Sequence, residues 1–163
     1  MLLETMRLPN EADAIAADGS EVRILLRTGG GSVAHYRLHP GQVSTAVAHR
    51  TIDEIWFVLG GHGEMWRKYS EEEDIVVLEP GVTLTIPLGT WFQFRSLGGE
   101  PLDVIGTTMP PWPGDDEAYE VEGIWEPQNQ RQRGAPVTPR LSGRESPGPG
   151  DGHLQNRSRR RRV

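Results

Sequence analysis

The sequence predicts an all-β protein, built as a sandwich or a barrel of short antiparallel strands. Nine short runs rich in Val, Ile, Thr, Trp and Phe follow one another between residues 22 and 108. Turns such as TGGG, HPG, GGHG and EPG separate these runs. Helical periodicity is nearly absent from the same region. Many short strands at regular spacing, divided by turn residues, are typical of sandwiches and barrels.

Each of the nine runs is an expected strand, and a length of 163 residues suits one domain with one core. In chain order the runs are VRILLR (22–27), SVAHYRL (32–38), QVSTAVA (42–48), EIWFVL (54–59), GEMWRKY (63–69), DIVVL (74–78), VTLTI (82–86), WFQFRS (91–96) and PLDVIGTT (101–108).

The segments that flank the strands divide the chain into three parts. Residues 1–20 are polar with scattered Ala and Asp, and we expect an N-terminal arm there. Residues 21–127 should form the barrel and, over residues 109–127, a Pro/Trp-rich strap. Trp112 and Trp125 should hold this strap across the barrel. Residues 128–163 are rich in Arg, Pro and Gly and have few apolar residues, so we expect a disordered tail.

Charge is distributed unevenly along the chain, although the net charge is only −6. Residues 1–127 hold 8 Lys and Arg against 21 Asp and Glu, a net of −13, whereas residues 128–163 hold 9 Arg against 2 acids, a net of +7. The run RSRRRR at 157–162 could contact nucleic acid. It has no interleaved aromatic residues for base stacking, so a solvated end without a partner is the favoured interpretation.

Composition excludes several kinds of chemistry. The chain has no cysteine, which removes disulfides, thiolate metal sites, iron–sulfur clusters and cysteine nucleophiles. The start MLLETMRLPN is not typical of a signal peptide, and no window approaches the roughly 18 apolar residues of a membrane span. We therefore expect a soluble, cytoplasmic protein without a membrane partner.

Two stretches, GQVSTAVAHRTIDEIWFVLGG and GVTLTIPLGTWFQFRS, resemble the two motifs of the cupin superfamily. The first family motif runs Gly, five residues, His-x-His, three or four residues, Glu, six residues, Gly. The second runs Gly, five residues, Pro-x-Gly, two residues, His, three residues, Asn. The corresponding residues here are Gly41, Val47, Ala48, His49, Glu54 and Gly61, then Gly81, Pro87, Leu88, Gly89, Phe92 and Ser96.

This resemblance covers about residues 20–110 and implies a cupin jelly-roll β-barrel, closed at one end and open onto a pocket at the other. The expected fold is thus all-β, with a C-terminal Pro/Trp-rich strap and a disordered basic tail. The chain looks like a small single-domain cupin, similar to the cupin type 2 group. Many such proteins lack an assigned reaction, and one scaffold hosts many functions.

The family's metal site is degenerate in this sequence. Cupin metals are held by the two His and the Glu of the first motif and the His of the second. Val47 and Phe92 replace two of these, which leaves His49 and Glu54. A tightly held divalent metal normally needs at least three protein ligands. We expect no cofactor, or at most a weakly bound divalent metal at His49 and Glu54.

His49 and Glu54 are also the candidate catalytic residues. An apolar barrel raises the pKa of a carboxyl group, and a nearby imidazole pulls it the other way. Such a pair can move protons on a bound substrate, with His49 as base or acid and Glu54 orienting it. The alternative is a structural hydrogen bond inherited from a metal-binding ancestor.

The strand 91–96 contains the candidate ligand-binding residues, but its phase is open from sequence alone. Side chains alternate along a strand, so only one set can line the pocket. Family spacing favours the set that contains Phe92. The other set would place polar groups against a ligand. The candidates are therefore Trp91, Phe92, Gln93, Phe94 and Arg95.

Two further strands carry residues with more than one interpretation. His35 and Arg37 share a face of the run 32–38, and we favour solvent over the pocket for both. Three strand aromatics, Trp56, Phe57 and Trp66, have no obvious place inside a small barrel. Their exposure, together with the resemblance to cupins that dimerise, predicts a homodimer.

These observations favour a protein that binds a small organic ligand in the mouth of a barrel. If the protein is an enzyme, a metal-independent isomerase, cyclase or dehydratase that works by proton transfer fits the residues. The alternatives are a metal-dependent cupin dioxygenase and a non-catalytic ligand sensor. Whether the protein is an enzyme stays open at this point.

Overall fold

A computed structural model describes residues 3–128, and these residues form two antiparallel sheets packed face to face. The predicted tail, apart from Gln128, lies outside the described residues. The strands are β1 (Ala14–Ile15), β2 (Glu21–Arg27), β3 (Ser32–Leu38), β4 (Val47–His49), β5 (Asp53–Gly60), β6 (Gly63–Tyr69), β7 (Glu72–Leu78), β8 (Thr83–Ile86), β9 (Trp91–Ser96), β10 (Leu102–Met109) and β11 (Ala118–Glu120).

The strand order is that of a jelly roll. Sheet 1 has the order β1-β2-β3-β10-β5-β8, and sheet 2 has the order β11-β4-β9-β6-β7. Strands that are distant in sequence pair with each other, as β3 does with β10 and β4 with β9. The prediction of an all-β jelly-roll barrel is confirmed.

The core fills the space between the two sheets and follows from the alternation of apolar residues. Every second residue of β5 and of β10 is buried, which is the period of a strand with one face inside. Twelve buried apolar side chains make up the core cluster: Leu38, Val47, Trp56, Val58, Met65, Leu78, Leu84, Ile86, Phe92, Phe94, Leu102 and Val104.

One predicted strand is largely absent, and one short strand was not predicted. Of the run 42–48 only the end, in β4, is strand, and an isolated bridge joins Val43 to Arg95. The Ser44 N–H donates to the Phe94 carbonyl at 2.9 Å, but the Phe94 N–H donates to the Ser44 hydroxyl at 2.9 Å, so a side chain takes one place in the backbone ladder there. The unpredicted strand β11 belongs to the strap and pairs with β4.

The N-terminal arm covers part of the outer face of sheet 1. The Arg23 guanidinium donates hydrogen bonds to the carbonyl oxygens of Pro9 and Asn10, at 3.0 and 2.9 Å. His35 lies opposite Arg23 in the β2–β3 register, and its Nε2 lies 3.0 Å from an Asp103 oxygen. The expectation of a solvent-exposed His35 is wrong: the side chain is buried, although it is on the outer face. Burial lowers the pKa of His35, and the neighbouring Asp103 carboxylate acts in the opposite direction.

Ile124 and Trp125 of the strap cover part of the outer face of sheet 2. Gln93 donates to the carbonyls of Ser44 and Trp125, both at 2.8 Å, and accepts from the N–H groups of Ile124 and Trp125 at 3.0 and 2.9 Å. The Arg95 guanidinium lies 4.4 Å from the centre of the Trp125 ring. A polar side chain on the outside of the barrel is thus buried and fully hydrogen-bonded.

Two of the three aromatic residues expected on the surface are buried. Trp56 points into the core, and Trp66 lies on the outer face with its indole N–H donating to Glu73 at 2.6 Å. Both expectations of exposure are wrong. Phe57 is exposed, because it is on the outer face of β5.

Within residues 3–128, the chain forms no helix long and apolar enough to cross a lipid bilayer.

Candidate functional site

The residues of the two sequence motifs meet at one end of the barrel. His49 ends β4, Glu54 lies at the start of β5, and Phe92 lies at the start of β9. Val47 pairs directly with Phe92 across the β4–β9 ladder. The four positions that hold a metal in the family are therefore assembled here as His49, Glu54, Val47 and Phe92, all buried.

His49 is held neutral by its surroundings. Only 5% of the side chain is exposed, and its ring lies edge-on to Phe92 and to Trp112, with centroid distances of 5.3 and 5.6 Å. Burial lowers the pKa of His49 to about 4, although the Glu117 carboxylate acts in the opposite direction. The Nδ1 atom of His49 has no hydrogen-bond partner among the described residues.

Burial shifts the pKa of Glu54 in the opposite direction from that of His49. Its side chain is 2% exposed, and burial raises the pKa of the carboxyl group to about 8. The Trp56 indole N–H and the Tyr36 hydroxyl lie toward this carboxyl group and oppose the rise. Neither Glu54 Oε1 nor Trp56 Nε1 completes a well-aligned hydrogen bond within residues 3–128.

The His49–Glu54 pair is not an ion pair at neutral pH. Its closest atoms, His49 Nε2 and Glu54 Oε2, are 3.8 Å apart, which is too long for a hydrogen bond. Because the pKa of His49 is about 4, its imidazole is uncharged at pH 7. Because the pKa of Glu54 is about 8, its carboxyl group is protonated and also uncharged. The arrangement is a neutral base beside a neutral acid.

A glycine makes room for the polar groups that surround Glu54. A Cβ at Gly106 would clash with Glu54 Oε1 and with the Tyr36 ring. The Tyr36 ring also stacks on Trp56 at 5.7 Å, and burial raises its pKa. A second buried carboxyl group, Asp18, has a raised pKa through burial and accepts hydrogen bonds from the Ser20 N–H and hydroxyl. Tyr36 and Asp18 are thus two further buried polar groups that act on Glu54.

These residues do not fit a tightly held divalent metal. Val47 and Phe92 occupy two of the four ligand positions and offer only methyl groups and a ring. In residues 3–128 no group of three or more His, Asp or Glu side chains converges as a metal site would require. The donor set is one imidazole and one carboxyl group.

The strap closes the end of the barrel at which His49 and Glu54 lie. The backbone N–H of Trp112 donates to the Ser32 hydroxyl at 2.9 Å. This bond places Trp112 beside β3 and β10. Further along, the Glu117 carboxylate accepts hydrogen bonds from the N–H groups of Thr51 and Ile52, at 2.6 and 3.1 Å. The segment thus covers the His49 imidazole with the Trp112 ring.

The five predicted ligand-binding residues divide between two faces of β9. Phe92 and Phe94 point into the core, which is the phase that family spacing favours. Gln93 and Arg95 lie on the outer face beneath the strap, and Trp91 is exposed and lies near Lys68. Phe92 is the member of this set whose ring packs against the His49 imidazole.

Three site residues were not assigned to the site from the sequence. Strand alternation places Tyr36 on the face opposite His35, which was a usable signal. Trp112 was assigned to the strap but not to the site. Asp18 precedes β2 in a polar segment whose composition gives no indication of burial.

A cleft of about 630 Å³ lies elsewhere, outside the barrel. It is lined by the acidic hairpin 71–74 together with Arg67, Tyr69 and Thr85. Arg67 is already paired there with Asp74 at 2.6 Å. We assign the candidate site to the barrel end instead. His49 and Glu54 are buried there and have shifted pKa values, whereas the acidic side chains of the hairpin are exposed.

Residues 34–107 match the family model described as Cupin domain. This part of the chain is a small cupin domain, as the motif spacing predicted.

Solved structures with the same architecture support this assignment of the fold. A protein with a double-stranded beta-helix domain from Klebsiella pneumoniae is 20% identical, with a TM-score of 0.53 over 64% of this chain and 85% of that one. KdgF from Halomonas sp. is 19% identical, with a TM-score of 0.54 over 68% and 97%. An oxalate decarboxylase from B. subtilis is 12% identical, with a TM-score of 0.61 over 74% and 33%. No curated protein matches the chain.

Proposed function

We propose that the protein binds a small organic molecule at the strap-covered end of the barrel and acts on it by metal-independent proton transfer. The observation that carries this proposal is the buried pair of His49 and Glu54, 3.8 Å apart, in which base and acid are both neutral. A base and an acid whose pKa values are pushed apart by burial are typical of acid–base catalysis.

The geometry supports isomerisation of a carbonyl compound. His49 takes a proton from the carbon next to the carbonyl, while Glu54 gives its proton to the carbonyl oxygen, and a neutral enol results. Where the substrate is a β,γ-unsaturated carbonyl compound, this enol is a dienol. His49 then returns its proton to the γ carbon, the double bond moves into conjugation with the re-formed carbonyl group, and the enol hydroxyl returns its proton to Glu54. The pair is restored, and no electrons enter or leave. Cyclisation or dehydration would use the same two groups.

Solvent exchange tests this proposal and does not require that the substrate be identified first. A panel of small carbonyl compounds is screened for a rise in the melting temperature of the full chain. Compounds that bind are then incubated in D₂O and followed by proton NMR. We expect deuterium incorporation or isomerisation with the wild-type protein and loss of both in His49→Gln and Glu54→Gln. Turnover that survives in both variants would show that the pair is not catalytic.

A non-catalytic ligand sensor is the second candidate, and the closed strap favours it. A protein that covers its site with a side chain of its own is suited to signal whether a ligand is present. Binding without exchange in the same experiment would support the sensor. The metal-dependent dioxygenase, the third alternative, would require more ligands than His49 and Glu54 supply.

We also propose that the chain is a homodimer that acts in the cytoplasm. The outer face of β5 presents Ile55, Phe57 and Leu59, which are 41%, 47% and 46% exposed. Neither the arm contacts of Arg23 nor the strap contacts of Gln93 involve this face. A stripe of exposed apolar residues on a sheet is suited to a two-fold interface.

A further inference from the structure

The strap places an indole of the chain directly on the candidate site. The Trp112 ring meets the His49 ring edge-on, with an interplanar angle of 85°. Phe92 meets the same imidazole in a similar way, at 68°. The imidazole is thus in contact with one ring that belongs to the barrel and one ring that belongs to a connecting segment.

This segment is fastened at Trp112 and again at Asp116 and Glu117, where the Arg50 side chain donates to the Asp116 carbonyl at 2.9 Å. The Trp112 N–H is bound to Ser32, and Glu117 is bound to the 51–52 turn. Between these anchors, Pro113, Asp115 and Asp116 are exposed. Segments with few buried contacts open at a lower free energy than the strands of a core. Because Trp112 is itself one of the anchors, lifting its ring from His49 breaks the hydrogen bond to Ser32 but unpairs no central strand.

We propose that Trp112 occupies, in this closed form, the position that a flat aromatic or heteroaromatic small molecule takes when the strap opens. The inference rests on the proposed function, because it names the class of ligand that the same site binds. A flat ring would replace the edge contacts that the indole makes now. His49 Nδ1, which has no partner among the described residues, would bind a polar substituent on that ring.

The same surroundings favour an uncharged ligand. The lumen next to the site is apolar and aromatic, with Val47, Phe92 and Trp56 buried around the pair. A charged group that entered this lumen would lose its hydration without a counter-ion, which is strongly unfavourable by transfer arguments. A neutral ring with one or two polar atoms avoids that cost.

Free indole is the probe that tests this proposal. Trp112→Ala removes the ring and leaves a cavity of indole shape, and apolar cavities of this kind bind small aromatic molecules. We expect indole at ten times its dissociation constant to raise the melting temperature of this variant by roughly 5 °C. Wild-type protein should show a much smaller rise, because Trp112 competes for the position. Trp125→Ala is the matched control, since its indole packs on Arg95 outside the barrel.

Binding at the site itself is checked by NMR of the His49 imidazole, whose ring protons should shift with indole in Trp112→Ala and not in Trp125→Ala. Equal stabilisation of both variants, or none in a folded Trp112→Ala, would overturn the proposal. Trp112→Leu serves if the alanine variant does not fold, with the same expected order. Indole binding needs no proton transfer, so a failure of the proposed reaction and a failure of this inference give different results.

Discussion

His49 and Glu54 have opposite pKa shifts with one cause, which is that burial penalises the charged form of each. This fixes the sign of their contributions to stability. Glu54 has a folded pKa of about 8 against an ordinary 4.5, so its contribution is full below pH 4.5 and is lost as the pH rises to 8. His49 has a folded pKa of about 4 against 6.5, so its contribution is full above pH 6.5 and is lost as the pH falls to 4.

The two contributions oppose each other between pH 4.5 and 6.5, and above 6.5 that of Glu54 remains. We therefore expect the free energy of unfolding to fall between pH 6.5 and 8, with a slope that approaches about 1.4 kcal/mol per pH unit for one proton. Glu54→Gln should flatten this decline in urea unfolding experiments, and Glu79→Gln, at an exposed position, should not. An unchanged slope in Glu54→Gln would show that Glu54 is not the group that titrates.

Val47 and Phe92 are the two residues that separate this site from a metal site. They face each other across the β4–β9 ladder, next to His49 and Glu54. The double variant Val47→His, Phe92→His should therefore bind close to one equivalent of Ni²⁺ or Zn²⁺, measured by elemental analysis after gel filtration of untagged protein.

The wild-type protein should retain no stoichiometric metal in that experiment. Adding two histidines outside the barrel, as Phe57→His with Ile75→His, controls for non-specific binding, because both positions are exposed. Near one equivalent of metal in the wild-type chain that is lost on His49→Ala would contradict the expectation of a degenerate site.

At the scale of elements, one side chain joins the C-terminal part of the strap to the barrel. Gln93 makes four hydrogen bonds that join β9 to the loop at Ser44 and to the strap at Ile124 and Trp125. Gln93→Ala leaves buried backbone groups without partners, so we expect the free energy of unfolding to fall by about 2–3 kcal/mol. Limited proteolysis should then cut the strap faster than in Gln42→Ala, whose side chain makes an exposed contact with His39. Equal cleavage rates would mean that the other contacts of the strap hold it without Gln93.

The alternation of polar and apolar residues predicted which side chains point inward in strands with one solvated face. It did not do so in a strand whose two faces are both covered. Eight of the nine expected runs are strands within two residues at each end, and β5 and β10 show the alternation most clearly. In β9, Phe92, Gln93 and Phe94 are all buried, one face by the core and the other by the strap. The period of two is therefore hidden in that strand, and its phase could not be read from residue types.

The candidate site was predictable only in part, for a related reason. The motif spacing predicted that four residues lie together, because it reflects where β4, β5 and β9 meet. These residues are His49, Glu54, Val47 and Phe92. The residues that complete the site come from segments with weak sequence signals. Trp112 is in a Pro- and acid-rich connection, and Asp18 precedes β2 in a polar arm. Their positions depend on tertiary contacts that no local pattern encodes.

At the scale of the whole molecule, the proposed dimer depends on the outer face of β5. Phe57→Lys places a charge in the centre of this apolar stripe, and we expect light scattering to show the monomer mass at tens of micromolar protein. Ile75→Lys is the matched control, because Ile75 is 55% exposed on the other sheet. A monomeric wild-type protein at that concentration, or dissociation of both variants, would contradict the proposed interface.

The buried polar groups on the two outer faces decide where the chain can be cut. Arg23 is covered by residues 9 and 10, and Gln93 by residues 124 and 125, all of which lie outside the 34–107 segment that matches the family. A fragment trimmed to those family boundaries would lose β2 and the strap, and would expose the buried side chains of Gln93 and His35 to solvent. The autonomous folding unit is therefore longer than the recognisable domain, and expression fragments of this protein should begin before Pro9 and end after Trp125.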